Sequence, residues 1–302
     1  MTSFPSVSAN IKMATSMNWI DLRDKLRKWR EENSRESEAI VEHGEVLIAH
    51  HSHKIGDEIW IVYEQLCIAA LDCCRMDLAN HCISTLESKF PDSVRAYRLR
   101  GMRFEAEERY KEAIELYDGL LKKDEANSQI RKRKIAISIA QGHREDAIKE
   151  LNTHLKQFMG DQEAWKELAD LYILEQHYDK AVFCYEELML NNPHNHLYHQ
   201  RYAELKYTQG GVENMEIARK YFAQTLKLNI KNIRALYGFY LAACNLGSAP
   251  KASPQQKKEN KKYVDWAQQQ INQLYKTNAD QDESQKSMTH MFQALDIKPA
   301  NP

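Results

Sequence analysis

The sequence predicts an all-α fold, an α-solenoid in which antiparallel helix pairs stack into a right-handed superhelix. Three observations support this prediction. Gly (10) and Pro (7) among 302 residues reach only about half of the usual share of ~12%, whereas sheet-rich and loop-rich proteins need more turn residues. Hydrophobic residues make up 43% of the chain, enough to build a packed core. Apolar helical segments also recur at a nearly constant spacing.

The repeat is marked by alanines in register. Five residues share this position: Ala79, Ala113, Ala147, Ala181 and Ala218. The first four are 34 residues apart, and the last follows after 37, with the three additional residues placed in the turn at 209–211. Four positions after each alanine comes a large apolar side chain: Ile83, Tyr117, Leu151, Tyr185 and Phe222. The window from Trp165 to Pro193 has the tetratricopeptide-repeat (TPR) pattern with two mild changes.

Close packing of two helices explains why the repeat needs these residues. A small side chain midway along the first helix of each pair faces the alanine of the second, so the two axes can approach. The first helices are predicted to place the following residues there: Cys67, Gly101, Ile135, Ala169 and Ala203. Ile135 is the bulky exception, and the repeat at 128–161 is the weakest. Pro91 and Pro193 lie where second helices must end, because Pro cannot continue a helix.

The predicted organisation is one TPR-like α-solenoid over residues 18–276. Its parts are, in order, a disordered N-terminus at 1–17, a helical cap at 18–52, five clear repeats at about 58–230, a C-terminal helix pair at 232–276 and a tail at 277–302 with a short helix at 284–296. Outside the repeats, helices are predicted at 19–31, 36–50, 233–246 and 254–276. Cap helices with a polar outer face are typical of such arrays.

A superhelical array leaves a concave surface lined by first helices, and such surfaces bind peptides, tails or domains. The register places a cation near the start of three successive first helices and apolar residues deeper along them. The predicted partner-binding residues are Arg98, Met102, Lys132, Ile139, Lys166, Ile173, Leu174 and Arg201. A segment with carboxylates beside a hydrophobic stretch would suit this groove. In the alternative interpretation the cations form a solvated helix face, where exposed pairs contribute only ~0–1 kcal/mol each.

Other kinds of chemistry are not indicated. The P-loop, dinucleotide fingerprint, nucleophile elbow and HExxH motifs are absent, so neither an enzyme nor a cofactor is expected. The His clusters at 50–53 and 194–199 lack Cys partners at zinc-finger spacing, so no metal is predicted. The slots that bind chaperone tails in adaptor TPR domains contain no Asn here, and acids occupy cation slots. A net charge of −1 gives no indication of nucleic-acid binding.

The compartment signals favour the cytosol. Residues 1–18 lack the apolar core of a secretory signal, and the most apolar stretch, at 59–71, is shorter than the ~20 residues that span a bilayer. Six cysteines are too few for a disulfide scaffold. Membrane association is therefore expected to be indirect, through partners. The lysines at 257–262 leave two interpretations open, contact with anionic lipid or the solvated edge of a terminal cap.

Several segments of the chain resemble those of a known family. Examples are GDQEAWKELADLYI at 160–173 and NPHNHLYHQRYAELKYTQGG at 192–211, and further segments lie at 22–48, 101–121, 131–137 and 218–229. Together they closely resemble subunit 2 of the endoplasmic-reticulum (ER) membrane protein complex, a TPR family, over roughly residues 18–276. No short motif fixes partner contacts, so no contact residue is carried over from the family.

The resemblance implies a non-enzymatic scaffold, peripheral on the cytosolic face of the ER membrane. In that family the complex is an insertase for tail-anchored and multi-pass membrane proteins. The implied partners are cytosolic segments of membrane subunits such as 3 and 5, and the soluble subunit 8 or 9. Two alternatives stay open: a cytosolic TPR chaperone or quality-control adaptor that binds client or chaperone tails, and an accessory repeat subunit of an enzyme.

Overall fold

The computed structural model describes residues 18–250 and 253–278, which form α-helices joined by short turns. No β-strand occurs within these two ranges. The chain divides into two compact units, residues 1–143 and 144–302. The prediction of an all-α helical-repeat fold is therefore confirmed.

Within each unit, consecutive helices pack against one another as antiparallel pairs. The first unit contains α1 (Trp19–Glu31), α2 (Ser37–Ile55), a 3₁₀ turn (Gly56–Glu58), α3 (Ile59–Asp72), α4 (Met76–Lys89), α5 (Val94–Ala106), α6 (Tyr110–Leu121) and α7 (Ser128–Ala140). The second contains α8 (Arg144–Gln157), α9 (Gln162–Leu174), α10 (Tyr178–Asn191), α11 (His196–Gln209), α12 (Val212–Leu228), α13 (Ile233–Ser248) and α14 (Pro254–Asn278). From α3 onward, the pairs that pack within a unit are α3–α4, α5–α6, α9–α10, α11–α12 and α13–α14. The first helices of neighbouring pairs also meet, since α3 contacts α5 and α11 contacts α13.

Helix bounds differ from the sequence prediction in a few places. α2 continues to Ile55 instead of ending at residue 50, because no helix breaker precedes Gly56, whose φ is 65°. Ile55 is buried, so the additional turn also contributes to the core. α13 and α14 end slightly later than predicted. The predictions of disorder at 1–17 and of a helix at 284–296 lie outside the described residues.

The alanines in register form the closest part of the core. Each is fully buried, as are the large residues that follow them by four positions. At the facing position of the first helices, Cys67, Ala169 and Ala203 are 0% exposed, and even the bulky Ile135 is only 1% exposed. The predicted position is therefore buried in all five repeats.

The starts of the first helices repeat as well. An Asn or Asp precedes four of them, at Asn127, Asp161, Asn195 and Asn232. In each case the side-chain oxygen accepts a hydrogen bond from a backbone N–H of the first turn, for example Asn232 from Ala235 at 3.0 Å. Such N-caps contribute about 1 kcal/mol each. Their spacing of 34, 34 and 37 residues matches the alanine spacing, including its irregular step.

The turn between the two helices of a pair also has one geometry. A residue with positive φ follows five first helices, at Cys74, Glu108, Gly142, Gln176 and Gly210. In the first four turns the next amide donates back to the first helix, as from His177 to Tyr172 at 2.8 Å, whereas after α11 the amide of Gly210 itself donates to Tyr207. This arrangement satisfies carbonyls that the helix end leaves unpaired. Three of the five residues are not glycine, although the left-handed conformation costs them about 1–2 kcal/mol.

Gly101 makes the tightest contact between helices of the first unit. A Cβ added there would lie 2.3 Å from Cε1 of Tyr117. The Tyr117 ring is fully buried, and its hydroxyl donates to Glu105 at 2.5 Å, so the ring has little freedom to move away. α5 and α6 can therefore approach this closely only because residue 101 has no side chain.

We expect Gly101→Ala to lower the free energy of unfolding by about 1–3 kcal/mol, because overpacking strains a filled core. This loss should exceed the gain in helix propensity of up to ~1 kcal/mol. Urea unfolding of the purified chain measures it. Gly119→Ala on α6 is the matched control, since nothing lies within 4 Å of an added Cβ there, and it should be neutral or stabilising. Equal stability of Gly101→Ala and the wild type would contradict the close packing.

Candidate partner-binding surface

The first unit contains a groove of about 800 Å³. It is lined by α1, the turn after it, α2, α3, α5 and α7, so the first helices of successive pairs face it as the repeat register predicts. Its apolar lining includes Ile61, Ile68 and Met102, and Ile61 is 42% exposed. Its charged lining includes Glu64, Asp72, Glu105, Arg35, Arg95 and Arg133. The surface thus combines exposed apolar side chains with charges of both signs.

One ion-pair cluster joins α3 to α5 beside this groove. Nη2 of Arg98 donates to Oε1 of Glu64 at 2.9 Å, and Arg95 donates to the same carboxylate. Arg98 also donates to Gln129 on α7. The side chains of Glu64 and Arg98 are only 13% and 19% exposed. The charge of Arg98, predicted to meet a partner carboxylate, is therefore balanced within the chain.

A second cluster, centred on Glu105, joins α5, α6 and α7. Its carboxylate accepts from Tyr117 and, at 3.0 Å, from Nε of Arg133. Burial raises the pKa of Tyr117, and the negative charge of Glu105 raises it further, so the phenol stays protonated and keeps donating. For Arg133, burial alone would lower the pKa, but the hydrogen bond and charge of Glu105 outweigh burial and raise it. These charges stabilise the stacking of neighbouring helices.

The structure distributes the predicted residues of the first unit unevenly around the groove. Met102 lines it and packs against the N-terminal core. Lys132 and Ile139 lie half-buried on α7 and, like Arg98, are not among the residues that line it. Lys132 already has an interaction partner within the chain. Only Met102 of these four is thus directly presented to the groove.

The second unit presents its predicted residues on α9 and α11. Lys166 is exposed and forms no ion pair with any residue that the structure describes. Ile173 is half-buried, whereas Leu174, at the end of α9, is 60% exposed. Arg201 is half-exposed and donates to Oε2 of Glu204 at 2.8 Å. Lys166 and Leu174 are therefore the most accessible of the four.

Glu204 is the centre of an ion cluster that joins α11 to α13. It accepts hydrogen bonds from Gln200 at 2.9 Å, from Arg201, and from Nε of Arg234 at 2.6 Å. Burial alone would raise the pKa of Glu204, but the bonds from Arg201 and Gln200 and the charge of Arg234 outweigh burial and hold the pKa below its usual range. Arg201 is thus part of a structural cluster.

The repeat register predicted cations for the binding surface, but none of these cations lines the groove. The carboxylates of the first helices that neutralise cations were missed. Those residues include Asp72, Glu105 and Glu204, and Asp72 accepts from Arg35 at 2.7 Å. One signal was present in the sequence: Glu64 and Arg98 are opposite charges separated by the 34-residue repeat. Residues at the same position of adjacent repeats lie side by side in a stacked array, so this pair could have been found.

The expectations about metal binding and about membrane-spanning helices can be compared with the described residues. Within 18–250 and 253–278, no group of three or more His, Cys, Asp or Glu is arranged to hold a metal ion. Over the same ranges, no helix is both long and apolar enough to cross a membrane. The cysteines are free thiols, and burial raises the pKa of Cys67 and of Cys184 to about 12, so these two stay protonated as packing groups.

We expect Glu204→Gln to lower the free energy of unfolding at pH 7 by about 1–2 kcal/mol, because charged hydrogen bonds between α11 and α13 are lost. The pKa of Glu204 is depressed in the folded chain, so its contribution is fully present above the unfolded value of ~4.3. It is lost as the pH falls through the folded value. Urea unfolding between pH 7 and 3 should show a steeper loss for the wild type than for Glu204→Gln.

The matched control for this prediction is Asp170→Asn on α9, an exposed carboxylate without an ion pair to any described residue. Its stability should follow the wild type across the same pH range. Parallel profiles for the wild type and Glu204→Gln would show that the cluster does not stabilise the folded chain.

Comparison with known proteins gives a consistent result. Residues 74–227 match the family described as the EMC2 TPR-like repeat domain. The ER membrane protein complex subunit 2-A of Xenopus laevis is 54% identical over 285 residues, which cover 93% of this chain and 96% of that protein. The ER membrane protein complex subunit 2 of Dictyostelium discoideum is 31% identical over 295 residues, covering 93% of this chain and 90% of that protein.

Solved structures agree on the fold. The C-terminal part of a TPR repeat-containing protein from Cytophaga hutchinsonii matches with a TM-score of 0.56 at 16% identity, covering 88% of this chain and 98% of that one. At this identity the likeness concerns the TPR-type fold alone. The sequence matches go further, because they extend over nearly the whole of both proteins: the chain belongs to the family of ER membrane protein complex subunit 2.

Proposed function

We propose that the chain is a non-enzymatic scaffold subunit of an ER membrane protein complex, peripheral on the cytosolic face of the ER. It would hold cytosolic segments of membrane subunits such as 3 and 5, together with the soluble subunit 8 or 9. The complex would insert tail-anchored and multi-pass proteins into the membrane. The observation that carries the proposal is the groove of the first unit, on a chain whose relatives are named as subunit 2 of this complex.

The groove suits a polypeptide segment better than a free carboxylate. Its charged groups already neutralise one another, as Glu64 does Arg95 and Glu105 does Arg133. Apolar side chains such as Ile61 and Met102 lie among them. Burying these side chains under a partner lowers the free energy of the complex. A segment that covers the apolar lining while hydrogen-bonding to the flanking pairs would satisfy both. Interfaces of obligate subunits have this mixed character with an apolar centre.

The eight residues predicted from the repeat register are proposed as partner contacts with unequal roles. Met102 lies in the groove, and Lys166 and Leu174 are accessible in the second unit, so these three are expected to touch a partner directly. Arg98 and Arg201 are held by Glu64 and Glu204. Their expected role is to keep neighbouring first helices in place.

We expect the combined variant Arg98→Glu, Lys132→Glu and Lys166→Glu to reduce recovery of membrane subunits about fivefold or more, equivalent to a loss of ~1 kcal/mol in binding. The measurement is affinity purification of the tagged full chain from detergent-solubilised ER membranes, with partners quantified by mass spectrometry. Lys166→Glu alone, at an exposed position, should give part of this loss while leaving the helical circular dichroism and melting temperature unchanged.

A matched control carries the same charge change on second helices: Lys156→Glu, Lys220→Glu and Lys227→Glu, all exposed. It should recover partners as the wild type does. Equal recovery by the groove variant would contradict the proposed contacts. Recovery of a chaperone without membrane subunits by the wild type would contradict the scaffold function and favour the adaptor alternative.

A further inference from the structure

Five second helices carry an alanine of the repeat register, and one of them, α10, differs from the other four at two exposed positions. These positions lie two and nine residues after the alanine. In α4, α6, α8 and α12 these positions are polar or charged: His81 and Ser88, Glu115 and Lys122, Lys149 and Lys156, Lys220 and Lys227. In α10 they are Phe183 and Leu190. All ten residues are exposed. Because the other four repeats have polar or charged residues at these two positions, the repeat fold does not require apolar residues there.

Phe183 and Leu190 are the two large exposed apolar side chains of α10, and Phe183 contacts the largely buried Trp165. Phe183 and Leu190 are 53% and 77% exposed, and residues seven apart share one face of a helix. The ring of Trp165 meets Phe183 edge-on at 6.1 Å, and its indole N–H donates to the carbonyl of Met159 at 2.8 Å. Met159 is itself 66% exposed. We call Met159, Trp165, Phe183 and Leu190 the α10 strip.

Carboxylates edge the α10 strip. Asp179, Glu186 and Glu187 lie four residues before and three and four residues after Phe183, on the same side of the helix. None of them forms an ion pair with a described residue, although Glu186 accepts a hydrogen bond from Tyr202 at 3.0 Å. The nearby Lys180 lies over the ring of Tyr172, 5.5 Å from its centroid. The strip therefore has an acidic rim whose complement is basic.

Charge also decides which molecule could cover the strip. Residues 1–17 contain one basic residue, Lys12, and residues 279–302 contain four acidic residues against Lys286 and Lys298. Neither segment offers a cluster of cations. A second copy of the chain would bring one acidic rim against another in a symmetric contact, which like charges disfavour. A different, basic polypeptide fits the charges best.

We propose that the α10 strip is a docking surface for a basic amphipathic helix of another protein. Apolar side chains one heptad apart on that helix contact Phe183 and Leu190, as amphipathic helices bind apolar surfaces elsewhere. Its Lys or Arg side chains reach the carboxylates of Asp179, Glu186 and Glu187, which fixes orientation more than affinity. The inference rests on the proposed scaffold function, to which it adds a second surface and the chemistry of its partner.

Photo-crosslinking in the full chain tests the proposal. Phe183 is replaced by benzoylphenylalanine, the complex is isolated from detergent-solubilised ER membranes, and the adduct is mapped by mass spectrometry. We expect an adduct on a segment of another protein where apolar residues recur every three or four positions and Lys and Arg outnumber Asp and Glu. The same probe at Lys149, the equivalent position of α8, should give no such adduct. An adduct on this chain, on a second copy or on an acidic segment, or no adduct, overturns the inference.

A paired substitution gives an independent readout. Phe183→Lys with Leu190→Lys installs the residues found at these positions in α8 and α12, so the fold and melting temperature should be unchanged. Recovery of the crosslinked protein should fall at least about tenfold, whereas Lys220→Ala with Lys227→Ala should leave it unchanged. If the wild type and the α10 variant recover the same membrane subunits in equal amounts, the docking inference is wrong and the scaffold function is unaffected. If the wild type recovers none, the scaffold function fails.

Discussion

The close packing between the first helix of a pair, which has a small residue at the facing position everywhere except Ile135, and the alanine of its partner helix constrains the rest of the fold. Two axes that approach so closely leave room for only a short connecting turn, and the left-handed residue at Gly142 or Gln176 supplies it. A first helix must then begin at a fixed distance from that turn, where Asp161 or Asn195 caps it. The alanines and the caps thus share one spacing, including its 37-residue step, because each depends on the same helix contact. The turn residues stay 34 apart, and the three additional residues of the last repeat follow Gly210.

Neighbouring first helices are held together differently, by ion pairs. Glu64 with Arg98, and Glu204 with Arg234, each join one first helix to the next within a unit. Partly buried pairs of this kind add little net stability, yet removing one partner is costly because a charge is left without its counterpart. Cations on this surface therefore have a structural role before any partner binds. Partner binding and folding must consequently be measured together in any variant of this surface.

The features that could be predicted from the sequence are those that repeat along it at a regular spacing. Helix pairs, their order and the buried position of Ala113 or Ala181 follow from spacing alone, because the same packing recurs in every repeat. The end of α2 was predicted too early, since the buried side chain of Ile55 and the absence of a breaker before Gly56 decide it. The site was predicted only in part. Arg98 and Arg201 stay proposed contacts, and the carboxylate that each one meets could not be predicted, because it depends on side-chain geometry between helices.

Residues that differ between equivalent positions of the repeats distinguish structural positions from functional ones. Gly101 is the TPR consensus residue at its position, and the large ring of Tyr117 packs against it, where the α3–α4 pair has Cys67 and Ile83. This difference between pairs is explained inside the chain, because the ring of Tyr117 occupies the space where a side chain at residue 101 would lie. Phe183 differs from its counterparts in the other repeats at an exposed position. It is not needed to fill the core, because other residues of α10 do so. Its ring contacts Trp165 on one side, but 53% of the side chain stays exposed, and an exposed apolar surface of this kind is stabilised when another molecule covers it.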